Sequence, residues 1–156
     1  MADKSITAAN VLKSSAGLPV EGITGVTTIT AGMVLYIAAD NTLVPADADA
    51  SAVSKVPVGI ALHGSSPGQP IRYCSEDPVF TFGGTANAGT PLFMSDTAGG
   101  ITDLVPNHAT GTDGSASYDN ELEAGDTIAL VGIVLGTTGQ TGVTTMNLKI
   151  VIGGVV

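Results

Sequence analysis

Few side chains in this sequence could do chemistry, and none stands in a pattern that does. The two histidines, His63 and His108, occupy different settings: one follows Val58-Gly59-Ile60-Ala61-Leu62, the other Leu104-Val105-Pro106. A zinc site draws three or four ligands together, and neither histidine has a local cluster around it. The single cysteine, Cys74, follows Tyr73 in an apolar run. A nucleophilic thiol needs a base and an orienting group; His63 could approach in space, but no nucleophile motif surrounds Cys74. It reads as a structural thiol, and one cysteine excludes a disulfide within the chain. Carboxylates gather at Asp113, Asp119, Glu121, Glu123 and Asp126, with a smaller pair at Asp47 and Asp49. Calcium takes such ligands, but the spacing matches neither an EF-hand loop nor a glycine-rich repeat loop. Glycosidase chemistry needs two carboxylates across a cleft. The sequence has no Trp and 4% aromatic residues, so a sugar-stacking platform is missing. Gly83-Gly84 and Gly99-Gly100 lack the lysine and the following helix of a phosphate loop. The expectation is a protein that is not an enzyme, with no catalytic, cofactor-binding or metal-binding residues.

The elements that would position any site repeat themselves. Ala31-Gly32-Met33-Val34-Leu35-Tyr36 returns as Ala88-Gly89-Thr90-Pro91-Leu92-Phe93, and Leu43-Val44-Pro45 as Leu104-Val105-Pro106. Val58-Gly59-Ile60-Ala61-Leu62 returns as Val131-Gly132-Ile133-Val134-Leu135, and Phe80-Thr81-Phe82-Gly83-Gly84 as Ile150-Val151-Ile152-Gly153-Gly154. Each block is apolar and rich in strand formers. What recurs is scaffold; the histidines, the cysteine and the acidic cluster do not recur. The spacing predicts two repeats, 26–84 and 85–156, in one β domain. The second repeat carries an insertion within Asn107–Asp126, where Tyr118 lies. Each repeat alone is marginal for an independent core, whereas two joined can hide most strand edges. The fold class expected is all-β: a barrel or sandwich of about ten short strands. Pro70–Cys74 and Val79–Phe82 read as two separate strands.

Composition agrees. Charged residues are 12% of the chain, hydrophobic residues 44%, and Gly numbers 21, which favours strands and tight turns over helices. The net charge of −9 repels a phosphate backbone and an anionic membrane surface alike. No run approaches the ~20 apolar residues of a membrane span. Met1-Ala2-Asp3-Lys4-Ser5 lacks a secretory core, so synthesis in a cytoplasm is expected.

Residues 1–25 stand outside the repeat as an extended N-terminal arm with room for one short strand. Their apolar positions Ile6, Val11, Leu12, Leu18, Val20 and Ile23 do not alternate cleanly. They are candidate contacts to a partner or to a neighbouring copy.

The Ala-Gly-x-x-Leu-aromatic strand, the Leu-Val-Pro hairpin and the Val-Gly-Ile-x-Leu strand resemble those of the capsid decoration, or cement, proteins of tailed bacteriophages. The resemblance covers about residues 26–154. It implies a small β protein without a catalytic site, displayed on the outer surface of the virion capsid after synthesis in the host cytoplasm. It implies that the protein binds the major capsid protein, bridges capsomers and stabilises the head. It also implies a homo-oligomer, a trimer favoured over a dimer. The alternative from the residues is a ligand- or glycan-binding β module of a fibre, tail or adhesin. Exposed aromatics near the long loop would distinguish it.

Overall fold

The computed structural model describes residues 3–48, 56–103 and 127–155. A 3-10 turn at Ala8–Asn10 leads into ten strands: β1 (Val11–Leu12), β2 (Leu18–Ile23), β3 (Val34–Ile37), β4 (Leu43–Pro45), β5 (Pro57–Ala61), β6 (Pro70–Ala86), β7 (Pro91–Met94), β8 (Ile101–Thr102), β9 (Thr127–Val134) and β10 (Val143–Val155). Every ladder between them is antiparallel. The order β4-β3-β5-β6-β10-β9-β7-β8 curls into a half-barrel, with β1 and β2 added along β6. The chain is all-β, as the repeats predict, but two strands are long. The segments expected as separate strands at Pro70–Cys74 and Val79–Phe82 are one strand, β6, of 17 residues.

The registers show how the two copies relate. Leu35 pairs with Gly59 and Leu92 with Gly132; in both ladders the register slips directly afterwards, before Tyr36 and Phe93. Ile60 pairs with Cys74 and Ala61 with Tyr73; in the second copy Ile133 pairs with Asn147 and Val134 with Met146. The glycine at each slip is required by close approach. A Cβ on Gly59 would lie 2.4 Å from the Cys74 carbonyl oxygen, and one on Gly132 would lie 2.5 Å from that of Asn147. The first and third sequence blocks therefore superpose as aligned.

The second and fourth blocks do not. Ile37 pairs with Leu43 and Tyr36 with Val44; their counterparts are Met94 with Ile101 and Phe93 with Thr102. Ile101, not Leu104, stands where Leu43 stands, and Leu104-Val105-Pro106 falls outside the described residues. Likewise Cys74 matches Asn147, three residues out of step with an alignment of Phe80–Gly84 on Ile150–Gly154. Period-2 apolar runs look alike under such a slip, and only the pairing decides.

Pairing also shows that the units share a strand. Cys74 pairs with both Pro19 and Ile60, Glu76 with both Leu18 and Lys149, and Thr81 with both Leu12 and Thr145. A strand residue has one neighbour per edge, so β1 and β2 line one edge of β6 while β5 and β10 share the other. Val20 pairs with Tyr73, and Phe80 pairs with Met146. The second half of β6 thus stands to β10 as β2 stands to the first half of β6. One unit is β2–β5 plus the start of β6; the next is the end of β6, β7–β9 and the start of β10.

The core divides accordingly. Ile29, Leu35, Leu43, Ala61, Ile71 and Tyr73 form a small cluster in the first unit. A larger cluster holds Phe80, Phe82, Leu92, Met146 and Leu148 of the second unit together with Ala31, Val34, Ala46, Ala48, Ile60 and Cys74 of the first, so the larger core is shared across the seam.

Candidate functional site

Each candidate for chemistry is tied to the scaffold where the structure describes it. His63 closes the β5–β6 turn. Its Nε2 accepts the Arg72 backbone N–H at 3.0 Å, and its Nδ1 lies 2.9 Å from the Gly64 carbonyl oxygen. An acceptor at Nε2 leaves Nδ1 as the donor, so both nitrogens of the neutral ring are occupied by backbone. Cys74 is fully buried, and its thiol donates to the Glu76 carbonyl oxygen at 3.4 Å. Burial, assisted by the Asp77 charge, pushes this thiol above its usual pKa, the opposite of what a nucleophile needs. The structure does not assemble His63 and Cys74 into a pair. Among the described residues, no group of three or more His, Cys, Asp and Glu side chains could hold a metal ion. His108, Asp49, Asp113, Tyr118, Asp119, Glu121, Glu123 and Asp126 lie outside the described residues.

Asp77 is a buried, multiply bonded side chain that the sequence does not single out. Asp77 sits in the middle of β6 with relative exposure of 0%. Its carboxylate accepts the Ser14 hydroxyl at 2.5 Å, the Ser14 N–H at 2.6 Å and the Val79 N–H at 2.9 Å. Burial raises its pKa, but these donors and the Lys13 charge outweigh burial and hold it below the usual carboxylate value. Asp77 fastens the loop between β1 and β2 to β6. The available signal was Asp-Pro two residues before a valine N–H, a local turn former in a strand-like run.

The six arm residues separate into two sets. Val11 is a core residue with 5% exposure, and Ile6 packs against the same core. Leu12, Leu18, Val20 and Ile23 are exposed, at 62%, 54%, 38% and 45%. The extended arm is a strap on its own chain. Lys4 N–H donates to the Ile101 carbonyl at 2.8 Å, Thr7 N–H to the Gly83 carbonyl at 2.9 Å, and Val11 pairs with Phe82. Ser95 donates to Asp3, and Lys4 pairs with Asp103. Residues 4–7 thereby span from β8 to the end of β6. In the first unit the same closure is made directly: Thr24 bridges Leu43, and Gly25 N–H donates to the Leu43 carbonyl at 2.8 Å. The irregular apolar spacing follows from this course: of the 3-10 turn, β1 and β2, only β1 buries a residue, Val11, and β2 lies on the surface.

What remains is surface. The described residues define an internally fastened β scaffold that exposes apolar side chains on its exterior. No family model, curated protein or solved structure matches this chain.

Proposed function

We propose that this chain is a structural virion protein that binds the outer surface of the assembled head of a tailed phage. It stabilises the shell by bridging major capsid protein subunits. The protein is made in the host cytoplasm and acts as a homo-oligomer, a trimer favoured and a dimer the alternative, without nucleic acid, membrane or cofactor. The observation that supports this reading is the strapped N-terminal segment, which presents Leu12, Leu18, Val20 and Ile23 outward on strands β1 and β2 that pair with β6. A shell contact draws on area and rigidity, and pre-ordered side chains bind with less entropic cost. Many weak contacts then add through avidity. Ile6 and Val11 are occupied by the core, so the proposed contact set narrows to the four exposed residues. An acidic exterior keeps densely displayed copies soluble and apart from DNA. The glycan-binding alternative finds no support in the described aromatics: Tyr73, Phe80 and Phe82 are buried, and Tyr36 and Phe93 are half-buried.

The test is co-sedimentation with expanded, undecorated heads of the encoding phage. Wild-type protein is expected to pellet with the heads, and the double variant Leu12→Glu, Leu18→Glu to pellet at least tenfold less while keeping its circular dichroism. Failure of the wild type to bind expanded heads overturns the proposal.

A further inference from the structure

We infer that the outer edge of the second half of β10, Val151–Val155, is a self-association surface whose occupant is the same strand of a second copy, paired antiparallel about a twofold axis. An unpaired strand edge is a template for another strand, and folded proteins cover or guard such edges. Among the described residues, the edges of β4, β8, β6 and β2 are covered or guarded. The β4 edge is covered by Thr24–Gly25. The β8 edge receives Lys4 N–H at Ile101. The outer edge of β6 carries β2 and β1, and β1 is only two residues long.

The outer edge of β2 is guarded rather than covered. Thr24 N–H points to Gln69 beside β6, and Gly25 N–H points the other way, to Leu43. Strand alternation then turns the backbone of Ile23, Glu21 and Pro19 outward. Proline offers no N–H there, and Glu21 places a charge on the edge, held by Arg72 at 2.6 Å.

Among the described residues, the second half of β10 has no covering segment, proline or carboxylate; its register against β9 shifts between Leu148 and Val151 and between Ile152 and Gly154. Met146 pairs with Phe80 on one edge and Val134 on the other, so β6 and β9 flank its first half. The β6 ladder ends at Lys149, and Val151–Val155 pairs with β9 alone among the described residues. Val151 and Ile152 are 47% and 42% exposed, and Ile133 on β9 is 47% exposed.

Charge identifies the occupant. None of the 14 acidic residues falls after Asp126, and Lys149 is the only charged residue from Thr127 to the end. Along β10 itself two copies bring no carboxylate side chain against another, the nearest in sequence being Asp126, before Thr127, the partner of Val155. Antiparallel self-pairing sets Ile150-Val151-Ile152-Gly153-Gly154-Val155 against itself without facing like charges. Such a contact is isologous and closes at two copies, so it favours the dimer over the trimer. It stands independently of the capsid reading, because it concerns the free protein.

Sedimentation equilibrium and native mass spectrometry of the full chain, from low to high micromolar, test it. The wild type is expected to populate a dimer that dissociates on dilution, with amide exchange at residues 151–155 slowed at least tenfold in the dimer. Ile152→Lys is expected to shift the midpoint of association at least tenfold to higher concentration. Val26→Lys, a change at an exposed loop residue away from the edge, should leave it in place. A wild type that stays monomeric throughout, a trimer, or an Ile152→Lys protein that associates as the wild type does overturns the inference. Unfolding curves of both variants, matched to the wild type, exclude a folding defect as the cause.

Discussion

The two units share registers but not means of closure. The first closes on itself through Thr24 and Leu43, while the second is spanned by residues 4–7, far away in sequence. The positions that begin each unit differ in the same sense. Val20 opposes Tyr73 at the margin and is 38% exposed; its counterpart Phe80 opposes Met146 and is fully buried. The lesson is that duplicated pairing fixes geometry without fixing energetic weight. The strand shared between units carries the heavier core, and the outermost strand carries surface.

The largest expected effect separates those two counterparts. Phe80→Ala removes a buried ring at the seam and is expected to cost about 3–5 kcal/mol of unfolding free energy. Val20→Ala, at the matching position, is expected to cost under about 1 kcal/mol, because much of its area already meets water. Denaturant titrations of both variants check this. Equal losses would mean that the units are energetically equivalent and that the asymmetry of burial carries no weight.

A smaller effect should show the units as alike. Gly59→Ala and Gly132→Ala each push a Cβ against a carbonyl oxygen of the adjacent strand, at 2.4 and 2.5 Å. Backbone must shift to accept either, at a cost of about 1–3 kcal/mol. The two losses are expected to agree within about 0.5 kcal/mol and to add in the double variant, since separate sites are independent. A large difference between them in thermal unfolding would break the claim that the slip after Leu35 and the slip after Leu92 are the same structural device.

These glycines also show where the sequence was legible. Val-Gly-Ile occurs twice because the slip demands a residue without Cβ at a fixed place, and such a requirement survives in the letters. The strands Leu43–Pro45 and Ile101–Thr102 share only apolar character, which any neighbouring apolar run can mimic. Leu104-Val105-Pro106 mimics it better than the true counterpart does. The sharing of β6 was hidden for a different reason. A unit that begins at β2 begins before the first recognisable block, so the arm looked like something outside the repeat. Of the arm residues offered as partner contacts, Val11 and Ile6 were indistinguishable from Leu12 and Leu18 by type. Only the 3-10 turn at Ala8–Asn10 and the pairing to Phe82 and Thr81 decide which side of β1 is covered.

The smallest effect lies at the junction, where the units have no common feature. Three residues beyond Cys74 stands Asp77; three beyond Asn147 stands Ile150, which makes no comparable polar link. Ser14→Ala removes one hydroxyl donor from the Asp77 carboxylate and is expected to cost about 1 kcal/mol at neutral pH. Because the folded carboxyl titrates below the unfolded one, its contribution is complete above the free-Asp pKa of about 3.9 and is lost as pH falls through the lower folded value. With the donor gone, the folded pKa rises toward the ordinary one, so the acid-dependent part of stability shrinks. Wild type and Ser14→Ala should therefore differ by about 1 kcal/mol at neutral pH and converge in acid. A gap that persists unchanged below the folded titration would show that Ser14 acts by packing alone, and that the junction is held by the strands rather than by the buried carboxylate.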